Sequence, residues 1–197
     1  MATRGRKPAP KRRLRERLLT GDRRAQLIAM GLEAFGARSY DDVSIDDLAR
    51  AAGISKGLLY HYFRTKRAFY VAAVREAARR LLEETKTDDA LAPLERAVRG
   101  LSAYLLFVER HGAAYATLIR GGVGFDAEVM RVLEGTRLAL MERILEARGA
   151  DDAATRLALR GWIGFVEATS LEWIERRAMD REQLVGLWVR ILGSLLA

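Results

Sequence analysis

From residue 22 onward the chain contains a single proline, Pro93, no run of β-branched residues, and apolar side chains that recur at intervals of three and four. That interval is the repeat of an amphipathic helix, and with proline nearly absent little in the sequence stops it from persisting. The pattern predicts an all-α protein of about nine helices. The first spans about Arg23 to Phe35, with Leu27, Ile28, Leu32 and Phe35 on one face and Gly36 as its stop. Two short helices follow, over 44–51 and 55–62, and then a longer one over 65–86 with Tyr70, Val74, Ala77 and Leu81 as its seam. Further helices are expected over 91–111, 113–120, 125–148, 151–177 and 180–196, separated by Gly112, the Gly121 to Gly124 break, Gly149 and Asp180. There is no repeat of fixed period.

Charge divides the chain unevenly. Residues 1–24 hold ten Lys/Arg and two Asp/Glu, so they account for the whole formal net charge of +8, and residues 25–197 are balanced. A flexible basic arm over residues 1–22, with Pro8 and Pro10 in its first dozen residues, is expected to order on a polyanion. A solubilising tail is the plainer alternative. With 197 residues, half of them apolar, the rest of the chain has room for one domain or two small ones.

Several chemistries are excluded by composition. No cysteine is present, which removes disulfides, thiolate zinc, iron–sulfur clusters and cysteine nucleophiles, and the only histidines are His61 and His111. No metal and no cofactor are expected. There is no phosphate-binding glycine loop, HExxH or GxSxG, so an enzyme is not expected. The most apolar stretch, Trp162 to Ile174, is broken by Glu167 and Glu172, and no apolar segment follows the basic N-terminus. A cytoplasmic protein with no membrane partner is the expectation. A helical protein that docks on anionic membrane through its arm is the competing possibility.

Against that background, Val43 to Phe63 (VSIDDLARAAGISKGLLYHYF) carries a set of local signals that agree. Ser44 is a good N-cap, Asp47 stands where a capping box returns its bond, and Val43 with Leu48 fits a hydrophobic staple. Ala49 leaves room for a crossing helix, Gly53 can take the left-handed turn, and Ser55 caps the next helix. Two short helices around a glycine turn form a helix-turn-helix, whose second helix enters a DNA major groove. Leu59 and Phe63 should pack inward with Ile54. That leaves Lys56, Gly57, Tyr60 and His61 outward, flanked by Leu58 and Tyr62. Gly57 permits close approach, and free N–H groups at the helix start suit a phosphate. Each outward side chain alone fits an ordinary solvated surface. A membrane-bound arm leaves the capped motif unexplained.

The run SIDDLARAAGISKGLLYHYFRTKRAF resembles the DNA-binding domain of the TetR family of bacterial transcriptional regulators, over about residues 23–75. The resemblance implies a DNA-binding domain over 23–66 with its motif at 44–63, and an effector-binding and dimerisation body over 67–197. It further implies a homodimeric repressor on palindromic double-stranded DNA, released by a small molecule. By position, Lys56, Leu58 and Tyr60 would meet base edges, while Ser44, Gly57, His61, Tyr62 and Lys66 would mostly hold the backbone, and Ser55 is counted with them as a DNA-binding residue. Arg4 and Arg6 would reach an adjacent groove, or Arg12 and Arg13 would lie along the phosphates. Asp46 and Asp47 depart from relatives that present a base-reading cation there, so thymine methyl contacts and shape readout should dominate.

In the body, the resemblance places an effector pocket among Tyr104, Phe107, Tyr115, Leu118, Leu133, Arg137, Met141, Trp162, Phe165, Val166 and Glu167. Arg137 and Glu167 are ionisable groups in apolar sequence, and each requires a partner, a rim position or a ligand. So few polar anchors suit a lipophilic or amphipathic effector. The last two helices are apolar over more than one stripe, and Trp173, Ile174, Leu184, Leu187, Trp188, Ile191 and Leu195 are expected to form a four-helix dimer interface.

Overall fold

Capping decides where most helices of this chain begin. Ser44 accepts from Asp47 N, Ser55 from Leu58 N, Thr65 from Ala68 N, Asp126 from Glu128 and Val129 N, and Asp152 from Thr155 N. Each cap satisfies N–H groups that have no partner inside the helix and is worth about 1 kcal/mol. The computed structural model describes residues 10–38, 40–119, 126–149 and 151–196, with side chains from residue 22 onward except that of Thr117.

Among the described residues there are nine α-helices and no strand. They are α1 (Pro10–Ala37), α2 (Ile45–Ala51), α3 (Lys56–Tyr62), α4 (Lys66–Glu84), α5 (Pro93–Arg110), α6 (Gly112–Ile119), α7 (Ala127–Arg148), α8 (Ala153–Arg176) and α9 (Arg181–Leu196). The all-α expectation holds. The first helix does not begin near Arg23, however, but at Pro10, a residue tolerated at a helix start because its missing N–H would be unpaired there anyway. Residues 1–9, and with them Arg4 and Arg6, lie outside the described residues, as does the Gly121 to Gly124 break. The side chains of Arg12 and Arg13 also lie outside them.

Two apolar cores organise the chain. The first joins Leu27, Ile28 and Phe35 of α1 to Leu48, Leu59, Phe63 and the N-terminal half of α4, Phe69 to Val74. Phe63 stacks on Phe69 with ring centroids 4.4 Å apart, and Phe35 meets Tyr70 edge-on at 5.0 Å. The second gathers Leu81 of α4 with Tyr104, Leu105, Val108, Leu159, Trp162 and Trp188. Val129, at the start of α7, belongs to the first core, and Val132 and Leu133 of the same helix pack against it.

Where α1 crosses α4, Gly31 is required by close approach: a Cβ there would lie 2.7 Å from the Phe69 ring. Gly31→Ala is therefore expected to cost about 1–3 kcal/mol, measured by chemical or thermal unfolding. Gly135→Ala, in α7, adds a carbon that meets nothing within 4 Å and should stabilise by about 1 kcal/mol.

Candidate nucleic-acid interface and interior cavity

The helix-turn-helix is set by its turn. Gly53 adopts φ +63°, a conformation that strains any other residue, and Ile54 N donates to Ala49 O at 3.0 Å to close the bend. Ala52 O accepts from Arg23 Nη2 at 2.8 Å, which ties α1 to the same turn. The staple positions Val43 and Leu48 are both buried. Asp47, expected to return a capping-box bond to Ser44, instead binds Arg50 at 2.8 Å.

With Leu59 and Phe63 buried, α3 turns the other side outward. Leu58 and Tyr60 are 41% and 36% exposed, large values for an aliphatic and an aromatic side chain on a seven-residue helix. Lys56, Gly57 and His61 are exposed beside them, and Tyr62 is half-buried with its ring edge against His61. Ser44 and Ser55 each use their hydroxyl on a backbone N–H, at 3.3 and 3.1 Å. Lys66 sits at the first position of α4, where its ammonium donates to Asp41 O at 3.2 Å and lies 4.6 Å from the Tyr40 ring centre. The structure thus brings Ser44, Ser55, Lys56, Gly57, Leu58, Tyr60, His61, Tyr62 and Lys66 into the helix-turn-helix and the start of α4.

Lys56 carries a partner that spacing alone did not show. Asp46, at the head of α2, accepts from its ammonium at 2.8 Å, and both side chains are about half exposed. This hydrogen bond raises the Lys56 pKa, so the ammonium stays charged. Asp46 thus places a negative charge on the same outward surface and holds the lysine that would meet a base.

The body holds a partly open cavity of about 600 Å³ with walls from α4 to α9. Of the residues assigned to an effector pocket, Tyr104, Phe107, Tyr115, Leu118, Leu133, Arg137, Trp162, Val166 and Glu167 line it. Met141 and Phe165 do not: Met141 is buried in the core, and Phe165 packs against that core from its edge. The cavity also takes in Leu81, Thr85, Thr136, Leu140, Arg143 and Ile144, which sequence inspection missed. For the residues of α7 a signal existed, since 133, 136, 140, 143 and 147 lie on one face by helical spacing.

Inside, one pair of charges is closed. Arg137 grips Glu167 with two bonds of 2.8 and 2.9 Å, the fork geometry that guanidinium and carboxylate share, and each side chain is about one-sixth exposed. The Tyr104 and Tyr115 hydroxyls share a short hydrogen bond. Burial pushes Tyr104 up to about 12 and raises Tyr115 as well, so both phenols stay protonated at physiological pH. The interior therefore offers apolar walls, hydroxyls and a closed ion pair.

The expected dimer set divides. Trp188 is wholly buried, Leu184 and Trp173 nearly so, all within the core of their own chain. The Trp188 indole donates to Thr169 Oγ1 at 2.8 Å and that of Trp173 to Met179 O at 2.7 Å. These three face inward and are not available to a second copy. Ile174, Leu187 and Ile191 are half-buried, and Leu195 is 43% exposed.

A capped helix-turn-helix with an outward polar and aromatic surface, mounted on a hollow helical body, defines a DNA-binding transcriptional regulator. Comparison with known proteins agrees. The family described as "Bacterial regulatory proteins, tetR family" matches residues 27–73, and "Tetracyclin repressor-like, C-terminal domain" matches 93–192. The transcriptional regulator AcuR of Cereibacter sphaeroides is 33% identical over 172 residues, 77% of this chain and 76% of that protein. The HTH-type transcriptional activator FasR of Mycolicibacterium smegmatis is 25% identical over 190 residues, 91% of this chain and 85% of that one. Among solved structures, a tetR-family regulator from Streptomyces coelicolor superposes with a TM-score of 0.83 at 34% identity, covering 89% of this chain and 80% of its own. The FadR regulator of Bacillus subtilis, solved in complex with stearoyl-CoA, shares the fold at a TM-score of 0.67 and 17% identity, over 88% and 97% of the two chains. The chain belongs to the TetR family of bacterial transcriptional regulators and is a regulator rather than an enzyme.

Removal of the Asp46 charge exposes its part in the surface. Asp46→Asn frees Lys56 and removes a repulsion against phosphate, so DNA affinity should rise at low salt. The plot of log affinity against log salt should steepen by about one. Fluorescence anisotropy on a labelled duplex at several salt concentrations measures both.

Proposed function

We propose that the protein is a homodimeric repressor that grips a palindromic operator and leaves it when a lipophilic small molecule enters the cavity. The observation that carries this reading is the place of α4. The helix starts three residues after Phe63, the C-cap of α3, and four of its residues, Val74, Ala77, Ala78 and Leu81, line the cavity. The neutral, largely apolar interior favours an apolar ligand body, and its volume falls in the range of small-molecule sites. The FadR structure with stearoyl-CoA supports a lipophilic effector by likeness of fold. FasR is an activator, so the sign of regulation is itself part of what is proposed. Among the described residues no helix is long and apolar enough to cross a membrane, in keeping with action at the nucleoid in the cytoplasm.

In this reading Lys56, Leu58 and Tyr60 read the major groove while Ser44, Ser55, Gly57, His61, Tyr62 and Lys66 hold its walls. Exposure of Leu58 and Tyr60, which costs contact with water in the free protein, suits thymine methyls and stacked base edges. Tyr60→Ala should lose discrimination between operator and random DNA. In mobility-shift assays with the DNA beside its own gene, the operator preference should fall by about ten- to a hundredfold while random binding changes little. Equal loss on both sequences would remove Tyr60 from base readout.

Dimerisation falls to the outer sides of α8 and α9, since their inner sides are occupied. Leu157 is 75% exposed, and Gly161, Gly164 and Ala168 continue its face of α8 without side-chain bulk. A second α8 can approach closely along such a face. Half-buried Leu187 and Ile191 and exposed Leu195 widen the apolar surface from α9. Added carbon at Gly164 meets nothing within 4 Å in the protomer. Gly164→Arg should consequently keep its fold and elute as a 22.1 kDa monomer in light-scattering chromatography, whereas the parent elutes as a dimer. A monomeric parent at micromolar concentration would exclude the proposed interface.

A further inference from the structure

At one end of the cavity, beyond the closed Arg137–Glu167 pair, the lining becomes cationic. Lys86, Arg96, Arg143 and Arg148 stand there against Asp89 and Glu146. Arg96 is paired with Asp89 at 2.8 Å, and Arg148 reaches Asp152 at 4.0 Å. Arg143 differs from both. Among the described residues it forms no ion pair, and its two bonds go to uncharged acceptors: Nη1 donates to Thr85 Oγ1 at 3.1 Å and Nη2 to Leu82 O at 2.8 Å.

A half-buried guanidinium without a carboxylate is an unusual residue to place in a cavity wall, because desolvation of the charge is compensated only in part by neutral dipoles. The C-terminal end of α4 offsets some of that cost through its partial negative charge, as Leu82 O belongs to its last turn. Two of the five guanidinium N–H groups are used, and three remain for another acceptor. Arg137 and Arg143 lie six residues apart on the cavity face of α7, about 9 Å along the helix. The cavity thus has a closed ion pair within and, towards its end, two cations without an ion pair among the described residues: exposed Lys86 and half-buried Arg143.

We propose that Arg143 receives the oxyanion head of an amphipathic effector whose hydrocarbon tail fills the interior between α5, α7 and α8. The inference rests on the effector-binding reading above and adds the charge and orientation of the ligand. A carboxylate and a phosphate monoester share the chemistry that Arg143 would recognise, and each can accept from the free N–H groups of the guanidinium. Because the same guanidinium holds Leu82 O and Thr85, the head group binds where α4 ends.

Dodecanoate, dodecyl phosphate and 1-dodecanol, each below its aggregation threshold, distinguish the possibilities when titrated calorimetrically into the full-length protein. At least one anion should bind the parent more tightly than the alcohol does, and the tighter of the two identifies the head group. Arg143→Gln should weaken that anion by about ten- to a hundredfold and leave 1-dodecanol unchanged, and Arg143→Lys should restore much of the difference. Thermal melting of each variant checks that it is folded. Equal binding of alcohol and anions by the parent would overturn the assignment to Arg143 while leaving a lipophilic effector site in place. Loss of all three ligands in a folded Arg143→Gln would overturn it too, by making Arg143 a support of the cavity. Binding of none of the three by the parent would overturn both this inference and the lipophilic-effector reading, whereas operator binding by the same preparations tests the DNA-binding head separately.

Discussion

Helix α4 is built into two cores at once, and that shared membership constrains everything else in the molecule. Its nineteen residues span about 28 Å. Phe69, Tyr70, Val71 and Val74 are fixed among α1, α2 and α3, whereas Leu81 is fixed among α5, α8 and α9. Neither core can shift relative to the other without moving this helix or breaking its packing. Protein interiors are packed too densely to absorb such a shift gradually, so displacement of one end of α4 is transmitted to the other.

Polar contacts reinforce α4 at both ends. Near its start, Arg67 forms two bonds with Asp126, at 2.5 and 2.9 Å, while the same carboxylate caps α7; midway along, Arg75 binds Glu128 at 2.6 Å. The Arg67 bonds hold the Asp126 carboxyl below its ordinary pKa, so it remains ionised and keeps capping. Since the Arg67 side chain is about half exposed, solvent screens the pair, and its value lies in registry more than in energy. At the other end Arg143, also on α7, binds Leu82 O and Thr85. One helix of the body therefore grips α4 at both termini.

Local signals were readable in the sequence because local chemistry decides them. Ser44, Ser55 and Gly53 act within a few residues of themselves, and the structure finds two caps and one left-handed turn at those positions. Leu59 and Phe63, four apart, settle which side of α3 is buried. What escaped was decided by tertiary contact. Periodicity shows that Leu184, Trp188 and Trp173 are apolar, but not that the chain's own core takes the face carrying the largest side chains and leaves Leu157 and the glycines of α8 outside. The Asp46–Lys56 bond crosses the turn between two helices, and the Arg143–Leu82 bond joins residues 61 apart. Pro10 misled in a simpler way: a proline reads as a breaker, yet at the first residue of a helix it breaks nothing.

The same geometry limits how the proposed effector would act on DNA binding. A ligand shifts an equilibrium only by the difference in its affinity for two states, and a molecule that touched only α5 and α8 would have no purchase on the head. Val74, Ala77, Ala78 and Leu81 put α4 itself in the cavity wall, and Arg143 ties its last turn to α7. Occupancy therefore bears directly on the helix that carries Lys66 at its other end. In the proposed mechanism, to move the protein from mostly bound to mostly free requires a preference of roughly 5 kcal/mol between the two placements, more than one hydrogen bond supplies. Apolar burial along the length of the cavity, rather than any single polar contact, is the term large enough to supply it.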